Sequence, residues 1–207
     1  EGSVYGLAVD LGSTTIAAHL CDLQTGEVVA SSGVMNPQIR FGEDLMSRVS
    51  YSMMNEGGAD EMTRAVRAGM NTLFDEICAE GGVDKGLIVD AVFVCNPVMH
   101  HLFLGIDPFE LGQAPFALAT SNALRMRAVE LDLTIHPSAR IYFLPCIAGH
   151  VGADAAAVAL SEAPDKSDDL VLVVDVGTNA EILLGNRDKV LACSSPTGPA
   201  FEGAQIS

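Results

Sequence analysis

The sequence predicts an α/β protein whose mixed sheet begins with an antiparallel meander of three strands and continues with parallel strands flanked by helices. Three apolar runs separated by tight turns open the chain, at residues 4–11, 15–22 and 28–35. Amphipathic helical stretches follow, and short apolar runs come after them. A strand that follows a helical crossover is typically parallel to the earlier strand.

The first half of the chain contains two predicted helices after the meander, which Asn36 and Pro37 end because proline lacks an N–H. A helix is predicted over 42–54, and a longer one over 60–79. The longer helix has an apolar stripe, a candidate cap at Asp60 and a stop at Gly81-Gly82. The stripe is made by Met62, Val66, Met70, Leu73 and Ile77.

The second half alternates short strands with helices. Residues 90–95 are too few for a helix and predict a buried parallel strand, which a helix over 98–104 follows. The proline-containing segment from 105 to about 138 is interpreted as an insertion, with a helix expected at 121–131. Another strand (140–145), an alanine-rich helix (149–160) and a polar linker (165–169) lead to a last hairpin.

A strand-turn-strand pattern with an aspartate at the turn occurs near the start of the chain and again near its end. Glycine lets the backbone approach a ligand, and neighbouring N–H and hydroxyl groups can hold phosphate oxygens. An aspartate at the end of a buried strand is expected to meet a cation, and Mg²⁺ prefers carboxylate, water and phosphate oxygens. One copy alone would be typical of an ordinary hairpin. Two copies predict one two-sided site, from residues 10–15 and 175–179.

Composition narrows the classes of function. The 207 residues are 49% apolar, which is enough for a sizeable core. A net charge of −16 argues against nucleic-acid binding. Five widely spaced cysteines without a C-x-x-C pair are expected to be buried thiols in a reducing cytoplasm rather than zinc or iron–sulfur ligands. No run reaches the roughly 18 apolar residues of a membrane-spanning helix, and the first residues are unlike a signal peptide.

The order of these elements resembles the actin, sugar-kinase and heat-shock-chaperone superfamily of ATPases. The resemblance implies a ribonuclease H-like, actin-like ATPase lobe. In it the first turn is the phosphate-1 loop, the alanine-rich helix connects two lobes, and the second turn is the phosphate-2 loop. Residues 1–164 would then form the first lobe, with the insertion at about 105–138, and residues 165–207 the incomplete start of the second lobe.

Six more specific sequence motifs resemble those of the reductive activators of corrinoid proteins. The motifs that carry this resemblance lie at residues 6–15, 36–44, 96–101, 144–154, 174–182 and 196–204. Proteins of that family join a [2Fe–2S] domain to an actin-like ATPase domain, and use ATP to return the Co(II) corrinoid of a methyltransferase partner to Co(I). The sequence departs from the pattern in having neither a [2Fe–2S] cysteine cluster nor the later adenosine-binding glycine motif. We therefore expect an ATPase in the full-length protein and an inactive fragment in this chain alone.

The resemblance also implies roles for individual residues. Asp10 and Asp175 would hold Mg²⁺ through water, and Asp175 would take part in catalysis. Asp154 would orient the attacking water, although a carboxylate that only stabilises its helix N-terminus is an equal alternative. The residues expected to meet the phosphates of ATP are Gly12, Ser13, Thr14, Thr15, Gly177, Thr178 and Asn179.

Several alternatives accompany these expectations. The chain could be a small-molecule, sugar-like kinase of the same superfamily, or a non-catalytic interaction module whose two turns are structural hairpins. A homodimer is also left open. His100 and His101 are more typical of a structural role than of metal ligation with Cys95. The helical methionines are more typical of core, and residues 36–44 are a candidate partner surface.

Overall fold

Nine strands form two sheets in the computed structural model of the chain, which describes residues 2–197. The strands are β1 (Tyr5–Leu11), β2 (Thr15–Asp22), β3 (Val28–Met35), β4 (Ile88–Cys95), β5 (Leu124–Arg127), β6 (Arg140–Phe143), β7 (Val171–Val176), β8 (Asn179–Gly185) and β9 (Val190–Pro196). The α-helices within the described residues are α1 (Leu45–Met54), α2 (Gly58–Gly81), α3 (Pro97–Leu104) and α4 (Ala153–Glu162).

The first sheet has six strands in the order β3-β2-β1-β4-β6-β5. The meander β1-β2-β3 is antiparallel, and β4 and β6 add to it as parallel strands. β5 pairs antiparallel with β6 at the other edge. This arrangement confirms the predicted mixed α/β sheet, including the antiparallel opening and the parallel strands after helical crossovers.

One face of the first sheet holds the core. All five residues of the predicted apolar stripe of α2 are buried, and they pack with the inward-facing side chains Leu7, Val9 and Leu11 of β1. Each fully buried side chain of this size contributes about 1.5–3 kcal/mol. Because successive strand residues face opposite sides, the burial of Val9 and Leu11 puts Asp10 between them on the other face. The core packing therefore decides where the first carboxylate points.

The helix starts differ from the predictions: α3 begins one residue early, at Pro97, and α4 four residues late, at Ala153. The starts of α1 and α2 differ as well. α1 begins at Leu45, because the Asp44 side chain accepts a hydrogen bond from the N–H of Ser47 and so caps the helix. A 3-10 helix (Pro37–Phe41) occupies the chain before it. α2 begins after Gly57, so Asp60 lies in the first turn instead of at the cap. The predicted stop is confirmed, since Gly82 is left-handed with φ 64°.

The predicted helix at 121–131 is wrong. Leu124–Arg127 forms β5, and a 3-10 turn (Ala128–Leu131) follows it. The reason is tertiary: β5 pairs with the edge of β6, and its alternate residues Leu124 and Met126 pack against the core. A ladder of hydrogen bonds with partial burial overrides the local helical preference.

The second sheet has three antiparallel strands in the order β7-β8-β9. The predicted last hairpin is confirmed, and it extends further from its turn than expected, because β8 begins at Asn179 and β9 continues to Pro196. Of the motif at 196–204, residues 198–204 lie outside the described part of the chain. None of the helices among residues 2–197 is both long and apolar enough to cross a membrane. The cysteines are free thiols, of which Cys78, Cys95 and Cys146 are buried and Cys193 is exposed.

The start of α4 is pressed against the end of β4. A Cβ atom at Gly152, the residue before α4, would lie 2.5 Å from the carbonyl oxygen of Cys95 and 2.6 Å from the Cα atom of Asn96. Only glycine allows this approach, because both neighbouring atoms belong to the backbone. The close packing brings Asp154, in the first turn of α4, beside the carboxyl ends of β1 and β4.

We predict that Gly152→Ala lowers the free energy of unfolding by about 1–3 kcal/mol, because the added methyl group has to displace backbone. Urea denaturation measures the change. The matched control is Gly2→Ala, whose Cβ would meet no atom within 4 Å and should leave the unfolding curve unchanged. Equal stability of the two variants would contradict this account of the helix packing.

Candidate functional site

A cavity of about 250 Å³ lies where the turn after β1, the start of α4 and the turn after β7 meet. Most of the predicted site residues line it. The lining residues are Asp10, Gly12, Ser13, Asn96, Asp154, Asp175, Val176, Gly177, Thr178, Asn179 and Glu181. The structure therefore brings both acid-bearing turns, which are far apart in the sequence, to one cleft.

The two turns contact each other directly. The Thr14 Oγ1 and Thr178 Oγ1 atoms are 3.0 Å apart, and both residues are buried. Thr14 thus joins the turns without lining the cavity. Thr15 is exposed at the start of β2, outside the lining. The second turn is held further by Thr197, whose backbone N–H donates to the carbonyl oxygen of Thr178 at 3.1 Å.

Gly12 is required by the shape of the first turn. A Cβ atom there would lie 2.5 Å from the carbonyl oxygen of Thr15. No side chain therefore covers the turn at this position, and its backbone is accessible from the cavity. This is the property that a phosphate-binding turn needs.

Four carboxylates line the cleft, and strand register explains how two of them meet. Asp175 of β7 lies directly opposite Glu181 of β8, so both side chains stand on the same face of the second sheet. Asp10 comes from β1 and Asp154 from α4. Like charges that share a cavity disfavour ionisation, which makes the site attractive to a cation.

The electrostatics of Asp154 differ from those of an ordinary aspartate. Burial raises its pKa to about 7, against a hydrogen bond from the N–H of Ala155 that favours the charged form, and the negative charges of Glu181 and Asp175 raise it further. A carboxyl group that titrates near neutral pH can exchange a proton during catalysis.

Glu181 is a cleft residue that the sequence reasoning missed. It is buried, and its Oε1 atom accepts a hydrogen bond from Ser194 Oγ at 3.0 Å. Burial raises the pKa of its carboxyl group, and the charge of Asp175 adds to the effect. The hairpin register was the available signal, because a turn centred on Thr178 pairs residue 175 with residue 181.

Metal binding would be indirect here. Within residues 2–197, no group of three or more His, Cys, Asp or Glu side chains lies close enough to hold a metal ion directly. Mg²⁺ commonly keeps several waters and takes one or two protein carboxylates plus phosphate oxygens. The residues of the cleft fit that ion only through bridging water and a bound phosphate compound.

Other residues singled out in the sequence are divided between the core and the surface. His101 is buried, its Nδ1–H donates to the carbonyl oxygen of Pro97, and its Nε2 accepts from the N–H of Ala119. Burial lowers the pKa of His100 to about 4. The candidate partner surface at 36–44 is corrected in part, since Asn36 and Gln38 are fully buried. The methionines are divided between core positions (Met62, Met70) and exposed ones (Met46, Met53, Met54).

An α/β lobe that brings two acid-bearing turns to one cleft is typical of the actin-like ATPase fold. Comparison with known families makes the assignment specific. The family model "RACo middle region" matches residues 5–167, and "C-terminal domain of RACo the ASKHA domain" matches residues 169–207. The chain belongs to the RACo family.

Similar proteins agree with this assignment. The chain is 34% identical over its full length to "Corrinoid activation enzyme RamQ" of Eubacterium limosum, covering 35% of that protein. It is 29% identical over 99% of its length to "[Co(II) methylated amine-specific corrinoid protein] reductase" of Methanosarcina barkeri, covering 38% of it. A solved structure, "Reductive activator for corrinoid,iron-sulfur protein", superposes with TM-score 0.96 at 38% identity, covering 99% of this chain and 32% of that one. The chain thus spans about a third of the length of these relatives.

The pKa of Asp154 predicts a pH-dependent effect on stability. The unfolded carboxyl group loses its proton near the ordinary value of 3.8, whereas the folded one keeps it to about pH 7, so Asp154 lowers stability as pH rises across that interval. Asp154→Asn stays neutral and keeps an acceptor for the Ala155 N–H. We expect it to raise the melting temperature by about 3 °C or more at pH 8, and to change it little at pH 4.

Thermal melts across this pH range test the prediction, with Asp169→Asn, an exposed carboxylate, as the control. A difference between Asp154→Asn and the wild type that does not grow with pH would contradict the raised pKa.

Proposed function

We propose that this chain is the nucleotide-binding part of an ATP-dependent activator that helps to reduce the inactive Co(II) corrinoid of a methyltransferase partner to Co(I). The observation that carries the proposal is the cleft, where two glycine-bearing turns and four carboxylates face one cavity. The names of the similar proteins support the corrinoid partner. The free thiols support a cytoplasmic location.

In the proposed reaction, the two turns bind Mg·ATP. Asp10 and Asp175 would hold Mg²⁺ through water, while Gly12, Ser13, Thr14, Gly177 and Asn179 would offer N–H or side-chain groups to phosphate oxygens. The hydroxyl groups of Thr14 and Thr178 fix the distance between the turns. Mg²⁺, when bound, neutralises charge on the phosphates. Phosphoryl transfer needs positioning and charge stabilisation more than a strong nucleophile, so carboxylates and backbone donors suffice.

Asp154 is the proposed acceptor of a proton. A water molecule attacks the terminal phosphorus atom, the bond from that phosphorus to the bridging oxygen breaks, and the Asp154 carboxylate takes the proton of the water. A pKa of about 7 suits both receiving and releasing this proton near neutral pH. Glu181, held by Ser194, keeps the negative charge beside Asp154 that raises its basicity.

We also propose the division into lobes. Residues 1–164 would be the first lobe, with an insertion at about 105–138, and residues 165–207 the start of the second. The strands of the six-stranded sheet all precede residue 144, and those of the three-stranded sheet all follow residue 170. Leu172, Val174 and Leu191 of the second sheet are exposed, as expected for a sheet that further chain would cover.

The electrons for reduction would come from a [2Fe–2S] centre elsewhere. The cysteines of this chain do not fit such a centre, because they come from separate parts of the fold and no spacing between them resembles the cysteine cluster of a [2Fe–2S] site. The chain's own contribution is therefore nucleotide binding. A sugar-like kinase is less favoured, since the neighbouring cavity of about 260 Å³ is lined largely by apolar residues: Leu45, Met46, Pro97, Val98 and Pro196 among them.

Removal of either magnesium-holding carboxylate tests the proposal. Asp10→Asn and Asp175→Asn should each weaken Mg·ATP binding at least about tenfold, because a charged partner of the hydrated ion is lost. The measurement is the rise in melting temperature of the full-length gene product with added Mg·ATP.

Asp188→Asn, which changes an exposed residue in the β8–β9 turn, is the matched control and should keep the wild-type response. If Mg·ATP raises the melting temperature of Asp10→Asn and Asp175→Asn as much as that of wild type, these carboxylates do not hold the ion. If it leaves the melting temperature of wild type unchanged, a non-catalytic interaction module becomes the better account.

A further inference from the structure

Residues that follow the meander donate hydrogen bonds to three successive carbonyl oxygens of the first turn. The carbonyl oxygen of Gly12 accepts a hydrogen bond from Asn36 Nδ2 at 2.8 Å, and that of Thr14 accepts one from the Asn36 backbone N–H at 2.8 Å. Between them, the carbonyl oxygen of Ser13 accepts one from Arg48 Nη2. Three successive peptide groups are therefore fixed by two residues, Asn36 and Arg48.

Fixing these carbonyl oxygens also orients the donors of the turn. A trans peptide group is planar, and its C=O and the N–H of the next residue point in opposite directions. With the oxygens of Gly12 and Ser13 turned back toward Asn36 and Arg48, the N–H groups of Ser13 and Thr14 are turned the other way. That side is the cavity, which Gly12 and Ser13 line.

Arg48 is itself fixed in place by several contacts. It is fully buried, its Nε donates to the carbonyl oxygen of Gly42 at 2.9 Å, and its Nη1 lies 3.4 Å from Gln38 Oε1 and 3.2 Å from Met99 Sδ. A planar guanidinium serves all these directions at once, which a lysine ammonium at the same place cannot do. Burying a cation costs free energy of desolvation, so the burial of Arg48 beside the first turn indicates that its hydrogen bonds have a role there.

We propose that Arg48 and Asn36 are positioning residues for phosphate binding, and that they do so by holding the first turn with its N–H groups toward the phosphates. The inference rests on the proposed function, and it concerns residues that do not line the cleft. Their effect is confined to the phosphate end of a nucleotide, because the atoms they hold belong to the phosphate turn.

The test compares Arg48→Lys and Asn36→Ser in the full-length gene product. Serine at position 36 keeps an oxygen that can cap the following 3-10 helix, as Asn36 Oδ1 does for the N–H of Gln38, but it is too short to reach Gly12. We expect each variant to bind Mg·ATP about tenfold more weakly and adenosine with unchanged affinity, measured by titration calorimetry.

Arg67→Lys is the matched control. Arg67 is also largely buried, and its Nε donates to the carbonyl oxygen of Phe103 at 3.0 Å, so it joins α2 to α3 as Arg48 joins α1 to the turn. It makes no contact with either phosphate turn. Arg67→Lys should lower the melting temperature and leave the affinities for Mg·ATP and adenosine as in wild type.

The results distinguish failure of the role given to Arg48 and Asn36 from failure of the proposed function. Wild-type affinity for Mg·ATP in a folded Arg48→Lys or Asn36→Ser variant would overturn the inference, as would an equal loss for adenosine. If Arg48→Lys does not fold, Asn36→Ser alone decides. A wild-type protein that binds no Mg·ATP would instead overturn the proposed function, and this inference with it.

Discussion

The hydrogen bond between the Thr14 and Thr178 hydroxyl groups is the contact on which the site depends. It joins a turn of the six-stranded sheet to a turn of the three-stranded sheet, and both threonines are buried. Hydroxyl groups can donate and accept, so one threonine donates to the other and the link needs no charged group. With the turns held together, Asp10 and Asp175 line one cavity.

The carboxylates around this contact repel one another, and this repulsion favours a bound cation. Four carboxylates face the cavity, and the raised pKa values of Asp154 and Glu181 express the cost of enclosing them. A phosphate compound alone would add to that cost. A magnesium ion held through Asp10 and Asp175 would relieve it, and the buried guanidinium of Arg48 lies behind the same turn. The cleft therefore suits the proposed binding of Mg·ATP, in which metal and phosphate enter together.

Sequence periodicity predicted the elements where burial has a simple pattern, such as the stripe of α2 and the meander. It failed at Leu124–Arg127, because an edge pairing with β6 is a tertiary property that no local pattern carries. At the site, the turns and Asp154 were predictable from their residue types. Glu181 would have followed from the hairpin register, whereas the role of Arg48 depends on contacts with distant backbone and could not.

The most direct measurement is a crystal structure of the full-length gene product with Mg²⁺ and a non-hydrolysable ATP analogue. The account predicts that the ion lies between the turns, linked through water to the carboxylates of Asp10 and Asp175. It also predicts that the N–H groups of Ser13 and Thr14 donate to phosphate oxygens. A polyphosphate chain bound outside this cleft, or an ion that contacts neither aspartate, would contradict it.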